Sequence, residues 1–369
     1  MVPATVPLKF LDGSLGEGVT IIDPLRNHRW DKFVAQHPFG WITHLSGWKK
    51  FIDRAFPHIH GYYLTLFDPT GRIKAALPIY SVDSWLIGRR LVSIPFATLC
   101  DPLVTDPADM ERLVGAAVIL SEQISIPRIE IKTLSASHSL DKERFFTDCS
   151  YKHHSLRLCQ DLDLMKGRFH RTCVRQRIVR AEQSGLRLVK GRNEHHLQQF
   201  YLLHCKTRKR KGLPPQPYLL IKSLWHAFAG SNMVELLLCY KEEIAVAGLI
   251  LLKYKSRVSV EYSAANPAYN EFSPIHFLLW SSIKESSLSG YQILDFGQTA
   301  ANNKSLMVFK SHWGTEVSDL PHFIYPKDPA RNTSLYEETV ARKVLQYVCN
   351  KAPDPALSYL GDFCYRHLG

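Results

Sequence analysis

Runs of apolar residues, cut by Gly, Pro and Asp, divide the chain into a helix, meander, helix, strand order that occurs twice. In the first half, 30–36 reads as a short helix. Ser46 caps a second over 47–56, in which Trp48, Phe51, Ile52 and Phe56 recur at helical spacing. β-rich runs at 60–67 and 73–82 flank an Asp68-Pro69-Thr70-Gly71 turn and predict a hairpin, with a third strand at 91–94. Pro107 opens a helix that runs to 124, and a strand at 128–132 follows it. In the second half Asp163 caps a long helix that Gly185 stops, ahead of a strand at 186–190 and helices at 194–209 and 218–228. Strands at 233–240, 244–252 and 258–264 make a second meander, then a helix at 273–288 and a strand at 292–296. The repeated order predicts an α+β protein of two duplicated domains, 1–155 and 156–326. A C-terminal extension, 327–369, holds helices at 333–350 and 355–367.

One stretch, 291–314, concentrates the chemistry. An apolar strand ends in Asp295-Phe296, Gly297 is expected to break it, and a polar loop leads to a helical turn carrying Phe309, Lys310 and Trp313, closed by Gly314. A strand end, a small-residue loop and a helix with one cation is how α/β proteins commonly build a site. The aromatics at i and i+4 can also be read as pins that hold the helix to a sheet. Asp295-Phe296-Gly297 spells the metal-binding signature of protein kinases, but no HRD loop, glycine-rich loop or Val-Ala-x-Lys strand precedes it, which excludes that reading.

Charge sharpens the picture. The formal net charge of the 369 residues is +12. Residues 156–211 hold 15 Lys and Arg against 4 Asp and Glu, so nearly all of the excess lies in one segment, which implies an anionic partner. Within the expected helix Arg168, Arg171 and Arg175 fall at i, i+3 and i+7, with no acid between Asp163 and Glu182. A second cluster, Lys206-Thr207-Arg208-Lys209-Arg210-Lys211, sits where a helix ends; the helix dipole accounts for one or two of these cations, not five. Arg208 with Thr207 is the candidate grip on a phosphate or carboxylate, with Lys206 and Lys209 as further phosphate contacts. No export signal is evident at the start, and the most apolar stretch is interrupted by Lys241-Glu242-Glu243, which argues against a membrane span. The 8 cysteines never fall in a CxxC spacing, a pattern of reduced thiols in a cytoplasmic protein. The histidine pairs lack the partners of a zinc site, so no metal is expected.

Taken together, these residues resemble the Fem-type branch of the GNAT acyltransferase superfamily. The resemblance covers most of 40–325 and is carried by Trp48, Leu77-Pro78, Leu91-x-Ser93-x-Pro95, Arg180-Ala181-Glu182-x-x-Gly185, Thr207-x-x-x-x-Gly212-x-Pro214, Ala247-Gly248, Trp280, Asp295-Phe296-Gly297 and Phe309-Lys310-x-x-Trp313-Gly314. The last two are the specific ones. The resemblance implies tandem GNAT-like domains and an amine acceptor, a peptidoglycan precursor in the best-known members, attacking an activated acyl carbonyl. There the donor is an aminoacyl-tRNA, and no tightly bound cofactor is used. It implies Lys310 at the acyl-transfer centre and Arg208 on a substrate phosphate, with Asp295 accepting a proton or capping the loop. Thr207, Phe309, Trp313, Asn303 and Tyr262 would line the substrate, and the basic segment would meet tRNA.

One departure bears on the donor. CoA-using GNAT proteins place a glycine-rich loop before the helix that follows the meander. The corresponding segment, 266–275, has no glycine and carries Pro274, which lacks an N–H. That favours aminoacyl-tRNA over acyl-CoA. The alternatives are an acyl-CoA N-acyltransferase of polysaccharide or lipid synthesis, and a non-catalytic RNA- or envelope-binding module.

Overall fold

In a computed structural model, which describes residues 15–16, 18–84, 88–136, 140, 143–327 and 340–368, the chain forms two units, each built on one mixed seven-stranded sheet. The first unit runs β1 (Val19–Ile22), α1 (Trp30–Gln36), α2 (Ser46–Ala55), β2 (His60–Phe67), β3 (Ile73–Val82), β4 (Arg90–Ser93), α3 (Pro107–Gln123), β5 (Ile129–Lys132) and β6 (Phe146–Asp148). Its longest helix, α3, starts where the sequence demands: the Asp106 carboxylate accepts from the Ala108 amide at 3.0 Å, and Pro107 needs no partner for its nitrogen. Leu113, Ala117 and Leu120 of α3 are buried among Leu64, Leu77 and Ile129 of the sheet.

The second unit begins with β7 (Tyr151–Arg157), α4 (Leu162–Gly167), a π-helical turn over Arg171–Arg175 and α5 (Gln176–Gln183). It continues through β8 (Leu186–Gly191), α6 (Glu194–Arg210), α7 (Tyr218–Phe228), β9 (Val234–Lys241), β10 (Ile244–Tyr254), β11 (Arg257–Ala265), α8 (Pro274–Leu288), β12 (Ile293–Ala300), α9 (Lys304–Ser311) and β13 (Glu316–Asp319). The chain then returns to the first sheet through β14 (His322–Tyr325) and ends in α10 (Val340–Lys351) and α11 (Asp354–Leu368), most of which belong to the second unit. The boundary expected at 155 thus falls inside β7. The start of the helix expected from 333 lies outside the described residues.

The strand orders are β1-β2-β3-β4-β5-β14-β6 and β13-β7-β12-β11-β10-β9-β8. Each sheet is antiparallel except for one parallel pair, β4 with β5 and β11 with β12, reached by the crossover helices α3 and α8. The duplication read from the sequence is therefore a duplication of one supersecondary unit, three meandering strands, a helix and a parallel strand.

Two expectations need correction. Gly297 does not end its strand: β12 bulges between Asp295 and Gly297 and continues to Ala300, because beyond the bulge it pairs with β7. The long basic helix is broken. α4 stops at Gly167, Phe169 turns inward to meet the rings of Trp313 and Trp280 at 5.2 and 5.9 Å, and the His170 amide donates to the His312 carbonyl at 2.8 Å. The π-turn and α5 resume the path only after that crossing, so Arg168 does not share one straight helical face with Arg171 and Arg175.

Candidate active site

The site grows from the place where β11 and β12 part. They pair in parallel over Arg257↔Ile293, Val258↔Leu294 and Ser259↔Asp295 and no further. β12 then shifts through its bulge, with Gly297 at a φ of +71° that suits glycine. β11 has a bulge of its own at Glu261, between Val260 opposite Leu251 and Tyr262 opposite Ile250. Two bulges beside the end of a parallel pair open the sheet at its middle, where side chains rather than strand ladders must satisfy the backbone.

Lys310 does that here. Asn303 caps α9, its side-chain carbonyl accepting from the Leu306 amide at 3.2 Å, and α9 lays Lys310 against β12. The Nζ group donates to the Gly297 carbonyl at 3.0 Å and to the Gln298 carbonyl at 2.9 Å. Lys310 is only 6% exposed. Burial pushes its pKa down to about 8, against the upward pull of Asp295 and with the help of the Lys211 charge. An ammonium group has three N–H donors, and two are spent on these carbonyls.

Asp295 is fully buried. Its Oδ2 accepts from His153 Nε2 at 2.8 Å and Arg257 Nη1 at 2.9 Å, and its Oδ1 accepts from the Gly297 amide at 2.6 Å. Burial alone would raise its pKa, but the His153 bond and charge, the Arg257 charge and the Gly297 amide outweigh it and hold the carboxyl below the usual range. A carboxylate so engaged and so acidic is a poor proton acceptor. Of the two roles considered for it, the geometry favours the anchor of the bulge.

A second titrating carboxyl near Asp295 escaped the sequence reading. Glu261, at the β11 bulge, has its pKa raised to about 8 by burial and by the Asp295 charge. In the sequence it looks like the outward position of an alternating strand; only the non-local bulge sets it apart.

The other expected residues are placed as follows. Thr207 is 5% exposed and its hydroxyl bridges both backbone groups of Ala265, donating to the carbonyl at 3.1 Å and accepting from the amide at 2.9 Å, so it clamps the end of β11. Arg208 donates to the Pro214 carbonyl at 3.0 Å and the Tyr365 hydroxyl at 3.1 Å. Tyr262 is half-buried beside His204, ring centres 5.8 Å apart, and its hydroxyl is held well above its ordinary pKa by burial and the Glu261 charge. Phe309 is half-buried against His276. Trp313 is wholly buried between Phe169, His276 and Phe296, which makes it a core residue and removes it from any substrate surface. Lys209 is paired with Asp354 at 2.9 Å, whereas Lys206 is exposed. Arg171, Arg175 and Arg180 line one hollow of about 480 Å³, while Arg168 lies exposed at the break. Among the described residues, one group has ligand atoms within 4.8 Å of each other, His170, Cys173 and His312. His170 Nδ1 already accepts from the Cys173 amide at 3.2 Å, and the group stands in the most basic segment of the chain, both unfavourable to a cation.

Comparison with known proteins agrees with this layout. A family model described as an acetyltransferase (GNAT) domain matches residues 168–305, which include the parted strands and Asp295. The chain is 24% identical over 344 residues to the UDP-N-acetylmuramoylpentapeptide-lysine N(6)-alanyltransferase of Weissella viridescens, covering 86% of this chain and 97% of that protein. The crystal structure of FemX superposes with a TM-score of 0.68 at 16% identity, covering 84% of this chain and 97% of the other. The matched segment is thus similar to a GNAT acetyltransferase domain, and along most of its length the chain is similar to Fem-type transferases. Its fold is also shared, at a TM-score of 0.56 and 12% identity, with the C-terminal domain of a putative lysylphosphatidylglycerol synthetase from Agrobacterium fabrum, covering 83% of this chain and 92% of that one. The protein is thus an acyltransferase built on tandem GNAT-like domains, and the parted strands of its second domain are the natural place to look for the transfer centre.

Proposed function

We propose that this Fem-type acyltransferase moves an aminoacyl group from aminoacyl-tRNA to an amine of a peptidoglycan precursor, with Lys310 at the transfer centre. The observation that carries the reading is the buried ammonium of Lys310, with two N–H bonds fixed on the Gly297 and Gln298 carbonyls and a third left for a ligand. An amine is its own nucleophile, so the site needs a positioned acyl carbonyl, a donor for the developing oxyanion and a proton acceptor. The acceptor amine attacks the ester carbonyl and the tetrahedral oxyanion takes the third Lys310 N–H. The amine's surplus proton passes to the Glu261 carboxylate, which returns it to the departing ribose oxygen as the ester C–O bond breaks and releases the tRNA. Asp295 reacts with nothing; it fixes the bulge and tunes Lys310 and Glu261 by its charge.

The donor assignment is supported by the segment ahead of α8. It is a short 3₁₀ helix, Pro267–Phe272, leading into Ser273-Pro274, and it presents no glycine-rich amide cradle for a pyrophosphate. The arginine hollow of Arg171, Arg175 and Arg180 supplies the polyanion contact. The Weissella relative bears the name of an alanyltransferase for a muramoyl pentapeptide lysine, which supports an amine-bearing peptidoglycan precursor as acceptor.

The test is to incubate the purified protein with charged total tRNA and, separately, with acyl-CoA pools, each with an amine acceptor. The expected result is amine-dependent deacylation of tRNA, with binding that weakens steeply as salt rises and a log–log slope that shallows when Arg171, Arg175 and Arg180 are neutralised. Turnover of acyl-CoA with tRNA untouched would overturn the donor assignment.

A further inference from the structure

A cavity of about 880 Å³ lies away from the parted strands. It opens where β8 ends, between the β10–β11 hairpin and the turn that joins α8 to β12. Tyr291 lines it and Gly297 lies six residues further along the chain, so by strand rise alone the two places are about 20 Å apart. Its volume is in the range of small-molecule sites, but its walls are more polar than most. Lys190, Glu235, Lys253 and Glu285 line it together with the half-buried rings of Trp225 and Tyr291.

The four charged side chains hold one another in place. Glu235 accepts from Lys190 through Oε1 at 3.0 Å and from Lys253 through Oε2 at 2.6 Å, and Glu285 Oε1 also accepts from Lys190. β8, β9, β10 and α8 each contribute one member, so the fold fixes the groups relative to one another. An ammonium has three N–H donors, and Lys190 spends two of them on these carboxylates. Each Glu235 oxygen keeps a lone pair beyond the one its lysine uses. The network therefore sets donors and acceptors side by side at hydrogen-bond spacing, facing open space. Neighbouring hydroxyls on a sugar ring are spaced in the same way, and each is both donor and acceptor. The indole of Trp225 adds a flat face whose negative quadrupole suits the polarised C–H groups of such a ring.

We propose that this cavity binds a pyranose sugar, its C–H face on the Trp225 indole and its neighbouring hydroxyls on the lysine–glutamate network. An anion would compete with Glu235 and Glu285 for the same two lysines, and an apolar ligand would strip water from four charged groups without replacing it. A sugar does neither, because it is apolar on one face and lined with hydroxyls at its edge. Two sources can supply that chemistry, a free monosaccharide or one residue of a glycan strand. Remote from Lys310, the site holds the sugar without reacting with it, and it stands independently of the donor assignment.

The full chain is titrated with glucose, with N-acetylglucosamine and its trimer, and with erythritol, which has neighbouring hydroxyls but no ring. The expected result is saturable binding of a pyranose at a Kd of about 1 mM or tighter, with a change in tryptophan fluorescence that Trp225→Leu removes and erythritol does not produce. Glu235→Gln and, separately, Glu285→Gln should each weaken it by about 10- to 100-fold, as expected for hydrogen bonds to charged groups, while the circular dichroism spectrum stays that of the parent. Glu285, with a side chain 36% exposed, keeps the test open should the Glu235 variant fail to fold. Trimer binding about tenfold or more tighter than the monomer, weakened by the same variants, assigns the site to a glycan strand; equal affinities assign it to a single sugar. Absence of saturable sugar binding, erythritol binding as tight as the sugars, or sugar binding that the Trp225 and glutamate variants leave unchanged overturns the proposal. Failure of tRNA deacylation bears on the donor instead, because sugar binding is read without turnover.

Discussion

Replacing Lys310 by methionine separates catalysis from stability, because the structural costs oppose one another. Removing the ammonium leaves the Gly297 and Gln298 carbonyls without their donor, at a cost of roughly 1–3 kcal/mol each. The same change removes a buried charge. Its pKa is displaced from the ordinary lysine value to about 8, which corresponds to about 3 kcal/mol of strain in the folded state at neutral pH. The two nearly cancel, so Lys310→Met should unfold within a few degrees of the parent. Turnover has no such offset: losing one donor to an oxyanion lowers kcat by about 10²–10³. The pH profile checks the assignment from a second side. The ammonium is lost as pH rises through about 8, so the parent's activity should fall on that alkaline limb and the variant's residual activity should not. Since the folded value lies below the unfolded one, the unfolded chain holds more protons between the two. Parent stability relative to the variant should therefore rise with pH across that window. Thermal melts from about pH 7 to 11, spanning the folded and unfolded values, and steady-state kinetics with a charged tRNA donor make the measurement. A Lys310→Met variant that folds normally and retains kcat within about threefold of the parent, against the loss expected of an oxyanion donor, or that keeps the alkaline limb, would refute the role given to this lysine.

Three further outcomes are open to the same assays. Glu261→Gln should lower kcat by about 10²–10⁴ and abolish the rise in activity through about pH 8 that its raised pKa imposes; because that folded value lies above the ordinary carboxylate range, the variant should also lose the parent's fall in stability between those two pH values. Asp295→Asn strips Arg257 and His153 of a buried partner, and should cost about 3–5 kcal/mol in chemical denaturation while moving the acid limb of the pH profile down, as the charge that raises Glu261 is gone. Gly314→Ala places a Cβ 3.2 Å from the Arg168 carbonyl at a φ of +71°, and should cost about 1–2 kcal/mol, seen as a lowered Tm with the kinetic pH profile unchanged.

The meander strands and crossover helices were legible because their pattern is local: α1 and α7, and the hairpin β2–β3, fall where periodicity and the Asp-Pro-Thr-Gly turn put them. What was missed is non-local. β7 reads YKHHSLR, too polar to announce a strand, and it exists because β12 and β13 pair with it on both edges. β13 is exposed at every residue and has no periodicity to show. Without β7 nothing tells a reader that β12 outlives Gly297. The break in the basic helix has the same origin, since Phe169 leaves the helical path to reach Trp280 and Trp313, more than a hundred residues away in sequence.

Asp295-Phe296-Gly297 was visible as a signature long before its use was. The acid stands at the last rung of a parallel pair, where the next residues of β11 and β12 have no ladder to share. Left to itself such a junction would hold an unpaired amide and a half-buried arginine. Asp295 takes both and adds the imidazole of His153 from the neighbouring strand β7, so one carboxylate fixes three segments. Its remaining influence is electrostatic and has opposite consequences for the two titrating neighbours: it keeps the proton on Lys310 and on Glu261 alike, raising both values. For the lysine that preserves a charge burial works against, and for the glutamate it adds to the rise that burial itself causes. In the proposed transfer centre the cation and the weak base thus both answer to one buried anion, the acid at the rung acting on the lysine of the helix after it and on the glutamate of the neighbouring strand.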